Sequence, residues 1–295
     1  MSENVMSENV MSKDEILEDE NALPSTALAI SPTPASADLL RAAVDPALTE
    51  DLALALLKRP DLPPEVLEQL AKNSNALKSR KVRIALASHP HTPRHVSVPL
   101  ARQFYTFDLM KVALSPGVPA DVKVAVDDVL ISRLKTVTVG ERLTLARRAS
   151  GRVAAALLLE VESIDRKTDR KSDGRIVDGK VDCKIKDAET AAHATRVTQT
   201  ALENPRLTEA LVINSVLRPA ASTALVHAVA RHQKWSRRKE IRVALLRTDH
   251  LSLARALEFS REIPSARLQE LLASSRLSAR IKDQLLRESQ SSKVV

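Results

Sequence analysis

The sequence predicts an all-α fold: a solenoid of short antiparallel helices of the HEAT/ARM kind, internally duplicated. Three observations carry this. Aromatic residues make up 2% of the chain while apolar residues make up 44%, a composition that suits closely packed Ala- and Leu-rich helices and not sandwiches or barrels, whose strands favour aromatic and β-branched residues. Proline-led turns recur at repeating spacings. Finally, residues 45–60, "DPALTEDLALALLKRP", are written almost again at 204–219, "NPRLTEALVINSVLRP".

The two stretches align without a gap at an offset of 159 residues. Pro46, Leu48, Thr49 and Glu50 meet Pro205, Leu207, Thr208 and Glu209. Further on, Arg59-Pro60 meets Arg218-Pro219, Ala71 meets Ala230, and Val82-Arg83-Ile84-Ala85-Leu86 meets Ile241-Arg242-Val243-Ala244-Leu245. Within each copy a shorter motif recurs, beginning at Pro46, Pro60, Pro90 and Pro116 in the first and at Pro205, Pro219, Asp249 and Ser275 in the second. The first proline cannot continue a helix and pushes the residue before it (Asp45, His89, Ser115 or Asn204) out of the α region. Thr49, Thr208 or Ser278 then offers an N-cap oxygen, and Pro63, Pro93 and Pro119 suit a first helical turn. Each motif therefore reads as the stop of one helix and the start of the next.

The helices that follow are short. "PEVLEQLAKN" carries Val66, Leu67 and Leu70 on one side, and "SRKVRIALAS" carries Val82, Ile84, Ala85 and Leu86. Such helices are marginal alone and must bury their stripes against neighbours, which at a repeating period means a solenoid. The stretches "VRIALASHPHTP" and "IRVALLRTDHLS" resemble the HEAT-like and leucine-rich-repeat-variant helical repeats of bacterial proteins, over roughly residues 40–290 apart from the middle. That resemblance implies an interaction scaffold, with DNA binding in a few HEAT-like members, and brings no catalytic residues.

The expected organisation is a disordered acidic tail over 1–35, a first repeat block over 36–160, a polar insertion over 161–187, a second block over 188–290 and a disordered C-terminus over 291–295. In the insertion, Asp178-Gly179 flanked by Ile176, Val177 and Val181 has the pattern of a type I′ hairpin. Cys183 is the single cysteine, so no intramolecular disulfide forms, and a reducing, cytoplasmic setting is expected. The acidic N-terminus lacks the basic start of a signal peptide, and no run of about 18 apolar residues predicts a membrane span.

Charge is unevenly distributed. The first 50 residues hold ten acids and two bases, a net −8, so the remainder carries +16 of the overall +8. A strongly basic folded part favours an acidic partner: an anionic protein surface, nucleic acid or the chain's own tail. The candidate basic stripe comprises Lys78, Arg80, Lys81, Arg147, Arg148, Arg152, Arg237, Arg238, Lys239 and Arg242, the first and last groups aligning in the two copies with shifts of a position here and there. Its competing role is intramolecular pairing with acids of neighbouring repeats, and Arg83 and Arg242, lodged among apolar residues, read as such bridges. Stacking of single-stranded bases needs exposed aromatics; Phe104, Tyr105, Phe107 and Phe259 are expected in the core. Trp235, beside the Arg237 cluster, is the candidate aromatic contact, weighed against a packing role.

No enzyme, metal or cofactor is expected. Glycine-rich phosphate loops and the nucleophile and zinc motifs are missing from the sequence. His89, His91 and His95 cluster, but His89 stands at the turn position held elsewhere by Asp45, Asn204 and Ser115. His227 and His232, five residues apart on one expected helix, read as surface histidines. Asp169, Asp173 and Asp178 imitate a calcium loop, yet Lys171 and Lys180 stand where oxygen ligands belong. The expected function is a protein scaffold, with sequence-independent duplex binding as the alternative. Limited proteolysis should cut first in the tail and near residues 166–187, leaving two protected fragments visible by mass spectrometry.

Overall fold

The computed structural model describes residues 34–160, 180–219 and 221–291, and the expected tail, most of the insertion and the last residues lie outside these. The described residues are helices joined by turns, with no strand. In order these are α1 (Pro34–Val44), α2 (Glu50–Leu57), α3 (Pro64–Lys72), α4 (Ser74–Lys78), α5 (Arg80–Ser88), α6 (Arg94–Ala101), α7 (Thr106–Leu114), α8 (Ala120–Arg133) and α9 (Val139–Arg148). Then come α10 (residues 151–160), α11 (Lys180–Leu202), α12 (Glu209–Val216), α13 (Thr223–Arg231), α14 (Lys239–Leu246), α15 (Leu253–Ser260), α16 (Ser265–Ala273) and α17 (Ala279–Ser291). Among the described residues no helix is long and apolar enough to cross a membrane.

Helix bounds recur at the 159-residue offset. The pairs α2 and α12, α3 and α13, α6 and α15, and α7 and α16 match at both ends, while α5 and α14, and α8 and α17, match at their starts. Burial keeps the same register: Val66 and Leu225, Leu70 and Val229, Val82 and Ile241, Leu86 and Leu245, Leu109 and Leu268, and Val118 and Leu277 are all core pairs. Helix packing is local in sequence. One row runs α2, α5, α7 and another α12, α14, α16, with α1 on α3, α6 on α8, α9 on α11, α11 on α13 and α15 on α17. The apolar core nonetheless forms one cluster from Ala43 to Leu285, continuous through Leu157 and Leu158 of α10 and Val197 of α11.

The turns do more than reverse the chain. The last four carbonyls of a helix have no intrahelical donor, and here side chains of turn residues about 30 positions later supply it. Asn73 Nδ2 donates to Ala43 O and Asp45 O at 3.0 and 2.9 Å, while its Oδ1 accepts from the N–H of Asn75 and Ala76. His89 Nδ1 accepts from His91 N–H, which places the ring proton on Nε2, and that donates to Arg59 O at 2.8 Å. Ser275 Oγ repeats the pattern, donating to Leu246 O and accepting from Leu277 N–H. The same separations recur from His91 to Leu62 O and from Trp235 to Leu202 O.

Asn204 performs this task where the chain passes from one set of registered helices to the next. Its buried amide donates to Ala146 O at 2.7 Å and Ala149 O at 3.2 Å, and its Oδ1 accepts from Arg206 N–H at 2.8 Å. Gly151, the first residue of α10, lies so close to this turn that an added Cβ would stand 2.3 Å from Arg206 O. Only glycine allows that approach.

The structure amends several expectations. Pro63, Pro93 and Pro119 occupy the N-cap position itself, opening their helices through their carbonyls. Thr49 caps α2 through its hydroxyl, accepting from Leu52 N–H, whereas Thr208 occupies the same place before α12 without a side-chain cap. Helix α11 begins at Lys180, within the expected insertion, so Val181 is helical and unavailable to a hairpin, whose turn at Asp178-Gly179 lies outside the described residues. The calcium-like aspartates lie outside them as well. Replacing Asn204 by Ala should lower stability by about 1–3 kcal/mol, since two buried carbonyls lose their donor. Urea unfolding followed at 222 nm measures this, and an unchanged midpoint would remove the capping role.

Candidate binding surface

Arg80, Lys81, Arg152, Arg238 and Lys239 stand at helix N-termini, where a positive charge opposes the macrodipole, whereas Lys78, Arg147 and Arg148 lie in last turns. Acids from neighbouring helices offset this. Arg80, first in α5, is bonded through Nε and NH2 to the buried carboxylate of Asp108 in α7, both at 2.7 Å, with its guanidinium 5.0 Å from the centre of the Tyr105 ring. Lys81 lies 3.0 Å from Glu50 of α2, and hydrogen bonds from Lys81 and Ser79 hold that carboxyl below its ordinary pKa. In the second register Glu209, at the place of Glu50, is met at 3.6 Å by Arg238, which stands at the place of Ser79, since the place of Lys81 is held by Glu240. Arg152 of α10 bonds Asp128 of α8 at 2.8 Å and Val124 O at 3.2 Å. Half of the stripe thus stitches adjacent helices together.

Arg242 is the most deeply held of these. Its Nε donates to Ser236 O at 2.6 Å, NH1 lies 2.5 Å from Glu262, and its guanidinium lies 5.5 Å from the Phe259 ring centre. The contact with Arg242 keeps the Glu262 carboxyl below its ordinary pKa. Around this pair lies a pocket of about 300 Å³, whose lining also includes Lys239 and Arg267. Arg83, expected to be a bridge of the same kind, makes none among the described residues, and its buried Nε has no hydrogen-bond partner. The reason is in the sequence: the place of Glu262 is held 159 residues earlier by Gln103, and a neutral amide supplies no counter-charge.

The other stripe members stand differently. Lys78 donates to Asn75 at 2.9 Å, and Arg147, Arg148, Arg237 and Lys239 are exposed and make no ion pair among the described residues. These side chains are spread over the end of α9 and the start of α14 and do not converge on a single point in the sequence.

Phe104 and Phe259 lie in the core, as expected. Trp235 is 2% exposed, its indole N–H donates to Leu202 O at 2.8 Å, and Lys234 Nζ lies 4.2 Å from its ring centre. It is a packing residue and offers no ring face for contact, because at this turn its side chain provides the donor that the end of α11 requires. Tyr105 and Phe107, expected in the core, are instead 69% and 38% exposed. The offset held the signal, since Pro264 and Ala266 fill the equivalent places, so no large apolar residue is required there.

Four of the expected histidines, His89, His91, His227 and His232, have ring nitrogens bonded to the backbone. His89 and His91 cap carbonyls as described, and His95 lies 3.3 Å from Glu68. His227 and His232, expected on the surface, are half-buried. His227 Nε2 donates to His250 O, and His232 Nδ1 accepts from Lys234 N–H. Burial pushes the His232 pKa down, which favours the neutral ring that this acceptance needs.

Between α8, α10 and α12 lies a larger groove of about 460 Å³, missed from sequence because its walls meet only in the fold. Its lining includes Ile131, Leu159 and Leu211 together with Lys135, Arg152, Arg218 and Glu160. Burial raises the pKa of Glu160, opposed by the charges of Arg142 and Lys135.

Substituting Gln103→Glu should give Arg83 the partner that Arg242 has and raise stability by about 0.5–1 kcal/mol. Thermal unfolding of this variant beside Glu262→Gln, which should shift the other way, checks the pairing; equal midpoints for all three proteins would remove it. No family model, no curated protein and no solved structure matches this chain.

Proposed function

We propose that the chain is a non-enzymatic, internally duplicated α-helical solenoid that binds an acidic protein partner on its concave face in the cytoplasm. The observation that carries the reading is the 159-residue recurrence of helix bounds and burial combined with packing between near neighbours. Stacking of this kind extends a surface without requiring a reaction centre. The charge pattern supports a protein over a phosphate backbone. Arg80, Lys81, Arg152, Arg238 and Arg242 are committed to acids within the fold, which leaves a shorter basic track for counterion release.

The alternative, sequence-independent duplex binding, draws on the exposed Arg147, Arg148, Arg237 and Lys239. Charge reversal at these four would then weaken binding to all duplexes alike, with steep salt dependence.

A pull-down with the tagged full chain at physiological salt, with and without nuclease, separates the two. A defined protein that survives nuclease supports the scaffold; captured material that vanishes with nuclease transfers the function to the basic residues. Small-angle scattering should give an elongated particle, and a compact sphere would sink the solenoid.

A further inference from the structure

This inference rests on the scaffold reading and assigns it a site. We propose that the groove between α8, α10 and α12 receives an extended acidic segment of the partner. Its aliphatic side chains would lie against Ile131, Leu159 and Leu211, and its carboxylates would meet Lys135 and Arg218. The groove's volume, about 460 Å³, lies within the range of ligand-binding clefts.

Charge identifies the occupant. Of the three cations in the lining, Arg152 is held by Asp128, while Lys135 and Arg218 make no ion pair among the described residues. They come from opposite sides of the groove: Lys135 just after α8, Arg218 just after α12. Behind Lys135, the guanidinium of Arg142 donates to Lys135 O at 3.4 Å and leaves its own buried Nε without a partner, adding positive potential. Glu160 is the one carboxylate in the lining. The cations therefore outnumber the acids along walls that are largely apolar.

Comparison along the 159-residue register shows that this chemistry is specific to the junction. Arg218 corresponds to Arg59, which lies 3.9 Å from Asp61; the place of Asp61 is taken by Ala220. Leu211 corresponds to Leu52, which is 58% exposed, whereas Leu211 is half-buried in the groove wall. The second copy has lost the acid that neutralises this arginine and gained a facing wall. A phosphodiester backbone would leave the apolar floor unused, so the combination favours a peptide.

The test is peptide phage display against the full chain at physiological salt. Enriched peptides are resynthesised with fluorescein and titrated by anisotropy against the wild type, the double variant Lys135→Glu/Arg218→Glu and a control, Lys111→Glu, at an exposed lysine outside both the groove and the basic stripe. Enrichment of Asp and Glu interleaved with Leu or Ile is expected. Affinity should fall at least about tenfold in the double variant and stay within about twofold in the control. Both groove side chains are exposed, so the helical signal at 222 nm should be retained; if it is not, Lys135→Gln/Arg218→Gln replaces the pair, with the same direction of effect. Absence of enrichment, peptides without acids, binding that persists in the variant, or displacement by duplex DNA of equal charge would each overturn the assignment. A protein from the pull-down that still binds the double variant would leave the scaffold standing and remove this groove alone.

Discussion

The fold depends on the satisfaction of helix-end carbonyls by side chains from the following turn. Short helices generate many such ends, and every buried carbonyl without a donor costs on the order of 1–3 kcal/mol. Asn73, His89, Asn204 and Ser275 meet the requirement with one side chain that does two jobs: it accepts a backbone N–H two residues ahead, shaping its own turn, and donates about a repeat's length backward. At Asn204 the sequence separation is 55 to 58 residues, because the insertion intervenes, yet the local geometry is that of Asn73. Local turn chemistry and long-range packing are thereby one interaction.

Electrostatics follows from the same layout. Cations placed at helix N-termini, as Arg80, Lys81, Arg152 and Arg238 are, are unfavourable unless paired. Glu50, Asp108, Asp128, Glu209 and Glu262 supply the pairing, each from a different helix or turn than its cation. Most of these pairs are solvent-exposed and individually weak, about 0–1 kcal/mol; Asp108, buried under Arg80, is the exception. What remains unpaired is then informative, and it separates residues that hold the fold from residues free to meet something else.

The helices were legible from sequence because proline-led turns and apolar stripes act locally, and the 159-residue register placed them in pairs. The bridging role of Arg242 was legible for the same reason, from its apolar neighbours. Arg83 was misread because its sequence context matches that of Arg242 while the deciding residue, Gln103 against Glu262, lies twenty positions away. Tyr105 departs from its expectation because side-chain size predicts burial only on average and a turn leaves this ring outside, whereas Trp235, weighed between contact and packing, is buried with its indole on Leu202 O. The groove at Lys135 and Arg218 belongs to three elements distant in sequence, and no linear pattern announces it.

Asp45 and Asn204 hold the same place in the register and make the same local turn, each accepting the N–H of the residue two ahead. They differ in what they can give. Asn204 has an amide to offer the carbonyls at the end of α9, whereas the carboxylate of Asp45 can only accept. One change of functional group at a single place in the register, from acid to amide, thus turns a side chain that only shapes its own turn into one that also ties that turn to α9.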